Sequence, residues 1–334
     1  MPVKVKPALL KFALSFAMAL ALAGSAHPQE KVRLRYGTTM SFHNLPAWLA
    51  KSAGIFEKNG LDVEVILVRG GALNIMGIVA DRLQLSSVGP EAVVGARLQG
   101  SDVVLLACAA DSEPVYVLKR PEIKNMAELK GKASAVTRLG GTTHLYLRAG
   151  LKHFGLDADR DLTILQMGRS SDVAAALERG QIAVAAISYV YAQPLLDKGW
   201  PALIELSKMG FRYPPACVAS TRAFVKNNPT VIDAFLRSYI EGIHRVKIDP
   251  KTAEDVYIRF AREGNRDLVR KAVRVYGDTF SRMPYVSDTG LETVITGFSA
   301  RQPLSKDQMN PDIFRDNAPL ARIDKSGFVE RLYR

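Results

Sequence analysis

The chain has 334 residues, 48% of them hydrophobic, and a formal charge of +12. That hydrophobic share is enough to fill real cores and excludes a disordered chain. The positive excess is spread out rather than gathered in a block, with no zinc spacing or nucleic-acid-binding signature, so a small anionic ligand or an anionic membrane surface is expected and nucleic acid is not.

The chain opens with Lys4, Lys6 and Lys11, then an apolar run over 12–23, then Gly24, Ser25 and Ala26. This is the pattern of an export signal cut after Ala26. The run is shorter than the roughly 20 residues a membrane-spanning helix needs, and no cysteine near the cut offers a lipid anchor. The mature chain is expected in the periplasm, with a length that suits two domains.

Alternation of apolar and basic residues predicts a strand over 32–37, and Leu45, Leu49, Ala53 and Phe56 share one face of a predicted helix over 45–58. Gly60 ends that helix. Strands over 61–68, 85–88 and 103–107 alternate with helices over 70–80 and 91–99. The plan then restarts: strands over 133–136, 162–166, 182–187 and 203–206, helices over 140–154, 172–179 and 190–198. Residues 78–88 and 176–188 resemble each other faintly, each a helix end, a turn and a strand. This order predicts an α/β fold of two lobes, each a mostly parallel sheet flanked by helices. Helices over 231–246, 251–262 and 266–276 close the structure. The chain is expected to cross between lobes near 116–119 and 213–218. Lobe one is then 32–116 with 218–334, and lobe two is 117–217. After Gly297, Pro303, Pro311 and Pro319 interrupt any pattern, and the tail is read as irregular chain laid over one lobe. Cys108 and Cys217 both lie in apolar surroundings; spacing leaves a disulfide and two separate buried thiols equally open.

Three stretches of the first lobe carry a family likeness: AWLAKSAGIFEKNGLDVEVI at 47–66, RGGA at 69–72 and LSSVGPEAV at 85–93. In the second lobe MAELKGKASAV at 126–136, GGTTH at 140–144 and AALERGQIAVAAIS at 175–188 do the same. In this order and spacing, over roughly 32–245, the chain resembles the substrate-binding proteins of the nitrate/sulfonate/taurine class of ABC importers, with the thiamine-pyrimidine-like binders among them. The resemblance implies a two-lobe periplasmic-binding-protein-like fold, a monomer that delivers a small solute to an ABC permease in the inner membrane, and no cofactor. Departures are visible. Asp81 and Gln84 stand where the family often has Gly and Asp, Ala183 replaces an Asp, and 188–191 reads Ser-Tyr-Val-Tyr in place of a Trp-Glu-Pro-like stretch. No substrate is carried over.

Ligands of open α/β sheets bind beyond the carboxyl ends of the strands, which selects the loops 40–44, 69–72, 87–90, 140–143 and 188–191. Gly140 and Gly141 let the backbone approach closely, and the helix that follows aims its N-terminal dipole and the hydroxyls of Thr142 and Thr143 at the cleft, as an anionic headgroup requires. Gly70 and Gly71 repeat that logic beside Arg69, which can pair with an acid. Met40, Ser41, Ser87 and Gly89 complete the loop set. Phe42, Tyr189, Tyr191 and Tyr213 are candidate walls, and His43 a candidate hydrogen-bonding or titrating group. These loops bring one carboxylate, Glu91, so an anionic or polar organic ligand is expected over a cationic one. No G-x-S-x-G elbow, HExxH or P-loop appears. His43 with Cys108 is the one conceivable nucleophile pair, and the first loop lacks the cysteines of the fold-related pyrimidine synthases and sulfinate hydrolases. The sequence therefore reads as a binder and not an enzyme, with a ligand-sensing module for a membrane sensor as the alternative.

Overall fold

The computed structural model describes residues 30–300 and 302–334; the predicted export segment, 1–26, lies outside them. Among the described residues the strands are β1 (Val32–Thr38), β2 (Leu61–Leu67), β3 (Leu85–Val88) and β4 (Val103–Cys108), then β5 (Val115–Lys119), β6 (Ala133–Val136), β7 (Thr163–Gln166), β8 (Val184–Ser188) and β9 (Ala202–Glu205), and last β10 (Cys217–Thr221). They form two five-stranded sheets, ordered β2-β1-β3-β10-β4 and β7-β6-β8-β5-β9. Strands β1, β2 and β3 pair in parallel, as do β6, β7 and β8. Strand β10 runs antiparallel to β3 and β4, and β5 antiparallel to β8 and β9. The reversed strand in each sheet is the one by which the chain enters from the other. Residues 116–119, expected as a crossing, are therefore part of β5 in the second sheet, and the connection lies at 109–114. The return connection ends where β10 begins, at Cys217. Cys108 and Cys217 face each other across β4 and β10 and are joined by a disulfide, the pairing that spacing alone left open.

The helix expected over 45–58 is two helices, Leu45–Ser52 and Ile55–Lys58. Gly54 separates them with a left-handed backbone (φ 67°), which glycine adopts without a steric penalty. The Pro229–Ile248 helix lays Ile232, Phe235, Leu236 and Ile240 into the first lobe's main core, where Trp48 and Phe56 are also fully buried. Each such side chain contributes roughly 1.5–3 kcal/mol. The tail is not irregular throughout. It carries the helices Ala318–Lys325 and Phe328–Leu332. Pro311 and Pro319 sit in the first turns of their helices, where a missing N–H costs nothing, so they start helices instead of breaking them. Leu105 on β4 donates its N–H to the Phe314 carbonyl at 2.9 Å and accepts from Asp316 N–H at 2.8 Å. The tail thereby covers the outer edge of β4, which would otherwise present unpaired backbone groups.

Candidate functional site

The carboxyl ends of β1, β6 and β8 open toward one cavity of 230 Å³ between the sheets. The first lobe lines it with Met40, Ser41, Phe42, Tyr257 and Tyr276. The second lobe supplies Thr142, Thr143, Tyr146, Ser188 and Tyr191, and the two connections supply Glu113 and Pro215. Phe42 stacks between Tyr257 and Tyr276, with ring centroids at 3.6 and 4.9 Å and planes within 11° and 10°. Beyond Phe42, Tyr191 and Tyr257 lies a second space of 310 Å³, walled mainly by apolar side chains from helices of both lobes.

Of the residues chosen from the sequence, Met40, Ser41, Phe42, Thr142, Thr143 and Tyr191 come together on this cavity. Gly71, Gly140 and Gly141 line a neighbouring groove with Glu91 and Arg138. Gly70 precedes the Gly71–Val79 helix with φ 88°, and its carbonyl accepts from the Asn74 side chain; neither it nor Arg69 reaches the cavity. Ser87 is buried in β3. Gly89 starts the next helix, with the Glu91 carboxylate folded against it. Tyr189 is buried between Tyr116 and Tyr276. Tyr213 is fully buried behind the cavity, where its hydroxyl donates to Glu91 at 2.8 Å.

His43 is not on the wall. It is 1% exposed, edge-on to Tyr276 and Phe280, and burial pushes its pKa down to about 3. Its imidazole stays neutral and does not titrate near pH 7. The conceivable nucleophile pair also dissolves, because the Cys108 sulfur is held in the disulfide.

The Gly140–Thr143 helix start departs from the expected anion cradle as well. The Thr143 hydroxyl turns inward to Thr137, accepting from its N–H at 3.0 Å. The Thr142 hydroxyl donates to Glu91 at 3.3 Å. The protein's own carboxylate already faces this helix end from the opposite lobe.

Glu113, like Tyr146, Tyr257 and Tyr276, is a lining residue that sequence reasoning missed. It sits on the first connection, one residue before Pro114, and lines the cavity. Its Oε2 accepts from the Tyr146 hydroxyl of the second lobe, and its Oε1 from the Tyr276 hydroxyl of the first, both at 3.4 Å. Burial pushes its carboxyl up to about 7, while the two tyrosine hydrogen bonds pull it down. The signal was the run Asp111-Ser112-Glu113-Pro114 between two strands; placing the crossing a few residues late hid it.

These shifts have opposite signs in stability. Folded Glu113 keeps its proton to higher pH than an unfolded glutamate, so its contribution is complete below the usual 4.5 and is lost as pH rises through about 7. Folded His43 resists protonation, so its contribution is complete above the usual 6.5 and is lost as pH falls toward 3. From pH 5 to 8 the wild type is expected to lose about 2 kcal/mol relative to Glu113→Gln, after allowance for cleft water. Urea unfolding of both proteins across that range checks it; parallel curves would show that Glu113 titrates normally.

The relatives agree with this architecture. A Bacillus subtilis protein provisionally named aliphatic sulfonates-binding is 26% identical over 258 residues, 75% of this chain and 74% of its own length. A solved structure from Bordetella bronchiseptica RB50 superposes with a TM-score of 0.71 at 20% identity, covering 89% of this chain and 98% of that one. The periplasmic aliphatic sulphonate binding protein SsuA of Escherichia coli does so with a TM-score of 0.66 at 19% identity, covering 80% and 87%. These likenesses establish the two-lobe α/β fold. The family model described as NMT1/THI5 like matches residues 41–253, more than half of the sequence, and the chain belongs to that family.

Proposed function

We propose that this protein is an exported solute-binding protein that captures a small organic molecule between its lobes and delivers it to an ABC permease, making and breaking no bond. The observation that carries this reading is the cavity itself, whose walls come from both sheets and from the connections between them. Such a site is completed only when the lobes approach, so a ligand that touches both favours the closed arrangement by population shift. The sheet of β1–β4 and β10 moves against the sheet of β5–β9, about the connection at 109–114 and the one that ends at Cys217, and the protein works as a monomer. The relatives named as binding proteins, one of them periplasmic, support the same role and location.

Native mass spectrometry of protein purified from its own periplasm tests the reading. The expected result is one small molecule per chain, lost on denaturation. Adding it back to stripped protein should lower the radius of gyration in solution scattering. An unchanged radius at saturation would remove the closure claim, and conversion of the molecule during incubation would overturn the binding role.

A further inference from the structure

The sign of charge inside the cleft is opposite to the sign of the chain. The sequence carries a formal +12, yet among the described residues no lysine, arginine or histidine lines the 230 Å³ cavity or the 310 Å³ space beyond it. The ionisable acids there are Glu113 in the first and Glu178 and Glu263 in the second. Among the described residues the Glu113 carboxylate accepts from two tyrosine hydroxyls, and no cation there offsets its burial. Arg169, from the loop beside the cavity, is paired with Asp172 at 3.3 Å, and Arg138 lines the neighbouring groove. Five rings, Phe42, Tyr146, Tyr191, Tyr257 and Tyr276, stand among the remaining lining, together with the hydroxyl-bearing Ser41, Thr142, Thr143, Ser170 and Ser188.

We propose that the cleft binds a small organic cation, a protonated amine or amidinium whose N–H groups rest on Glu113 and whose charge lies among the tyrosine rings. The inference rests on the reading of this cavity as the solute site. Ionising a buried carboxyl with no cation beside it is costly, and a ligand of opposite sign offsets that cost. Ring faces add attraction for the same sign of ligand. An anion would instead meet the Glu113 carboxylate; helix N-terminal dipoles and serine hydroxyls at Ser41, Ser170 and Ser188 would favour it, but the dipole of the Thr142–Lys152 helix is already faced by Glu91. A headgroup alone fits 230 Å³, below the roughly 300–1,000 Å³ of drug-sized sites; the apolar second space takes a short hydrocarbon tail.

The test uses two matched series of three: butylamine, butanesulfonate and butyrate, then benzylamine, benzenesulfonate and benzoate. Titration calorimetry with the purified protein is expected to show binding of an amine, and at least tenfold weaker binding of its sulfonate and carboxylate partners. Glu113→Gln keeps the shape and removes the charge, and is expected to weaken the amine at least 30-fold. Tyr191→Ala, at an exposed ring, is expected to weaken it three- to tenfold and serves should the first variant fold poorly. Binding of the sulfonate or carboxylate in place of the amine would overturn the cation while leaving the solute-binding reading intact, with a protonated Glu113 as donor. If none of the six binds, mass spectrometry of the periplasmic protein decides: a bound cation upholds the inference, a bound anion or neutral molecule overturns it, and no bound molecule removes the solute-binding reading with it.

Discussion

Replacing Cys108 and Cys217 together by alanine is expected to lower the stability of the first lobe by about 3–5 kcal/mol. The bond closes a loop whose ends are 109 residues apart, and a cross-link over so long a loop removes much of the unfolded chain's freedom. The folded side changes little, since both sulfurs are buried and the strands keep their backbone pairing. Urea unfolding of the double variant, beside the wild type with and without reductant, checks the value. The variant and the reduced wild type are expected to coincide. A loss below about 1 kcal/mol would mean that β4 and β10 stay associated when the rest unfolds.

Gly242→Ala is expected to cost about 2–3 kcal/mol, although alanine is the better helix former by about 1 kcal/mol. Gly242 lies within the Pro229–Ile248 helix, where it crosses the start of the Leu45–Ser52 helix. A Cβ there would stand 2.1 Å from the Pro46 carbonyl oxygen and 2.9 Å from its carbon. Both are backbone atoms at a buried helix start and cannot rotate away, so the two helices must part by about 1 Å and forfeit contacts along the seam. Gly95→Ala is the control. Its Cβ would meet only the Phe298 ring, at 3.5 Å, and the helix preference should make it neutral or slightly stabilising. Thermal unfolding of the two variants side by side decides. Equal midpoints would show that the Gly242 seam yields easily.

Sequence pattern made the architecture legible where local physics decides it. Strand and helix followed one another as predicted through both halves, because buried parallel strands are short β-branched runs and their helices carry a clear apolar face. Pattern was weakest at the connections. Residues 115–119 are as strand-like as any, but nothing local says to which sheet they belong; that is fixed by pairing with β8 and β9 far along the chain. The same gap explains the site. Phe42, Thr142 and Tyr191 were found because they sit at strand ends, where the topology points. Glu113 was not, because its place is set by the connection and not by a strand. Arg69 and His43 lie off this cavity for different reasons. Arg69 is exposed outside its lining, and His43 is buried in the core within the Phe42–Asn44 turn, while its neighbour Phe42 lines the cavity. The overall positive charge does not specify the site, since a net charge describes the long-range field and not the lining of one cavity.

The position of β10 has a consequence for how the molecule comes into being. It is the fourth strand in spatial order, inserted between β3 and β4, which do not pair with each other. As the polypeptide is made, β1 to β4 exist long before the segment that must knit them together, and everything in between belongs to the other sheet. The early strands must therefore wait, with an open seam, until the intervening half has been laid down. Assembly is non-local and correspondingly slow, and the waiting intermediate exposes apolar strand edges that invite wrong pairing. A cell that makes this protein in quantity needs something to shield that seam until residue 221 has emerged.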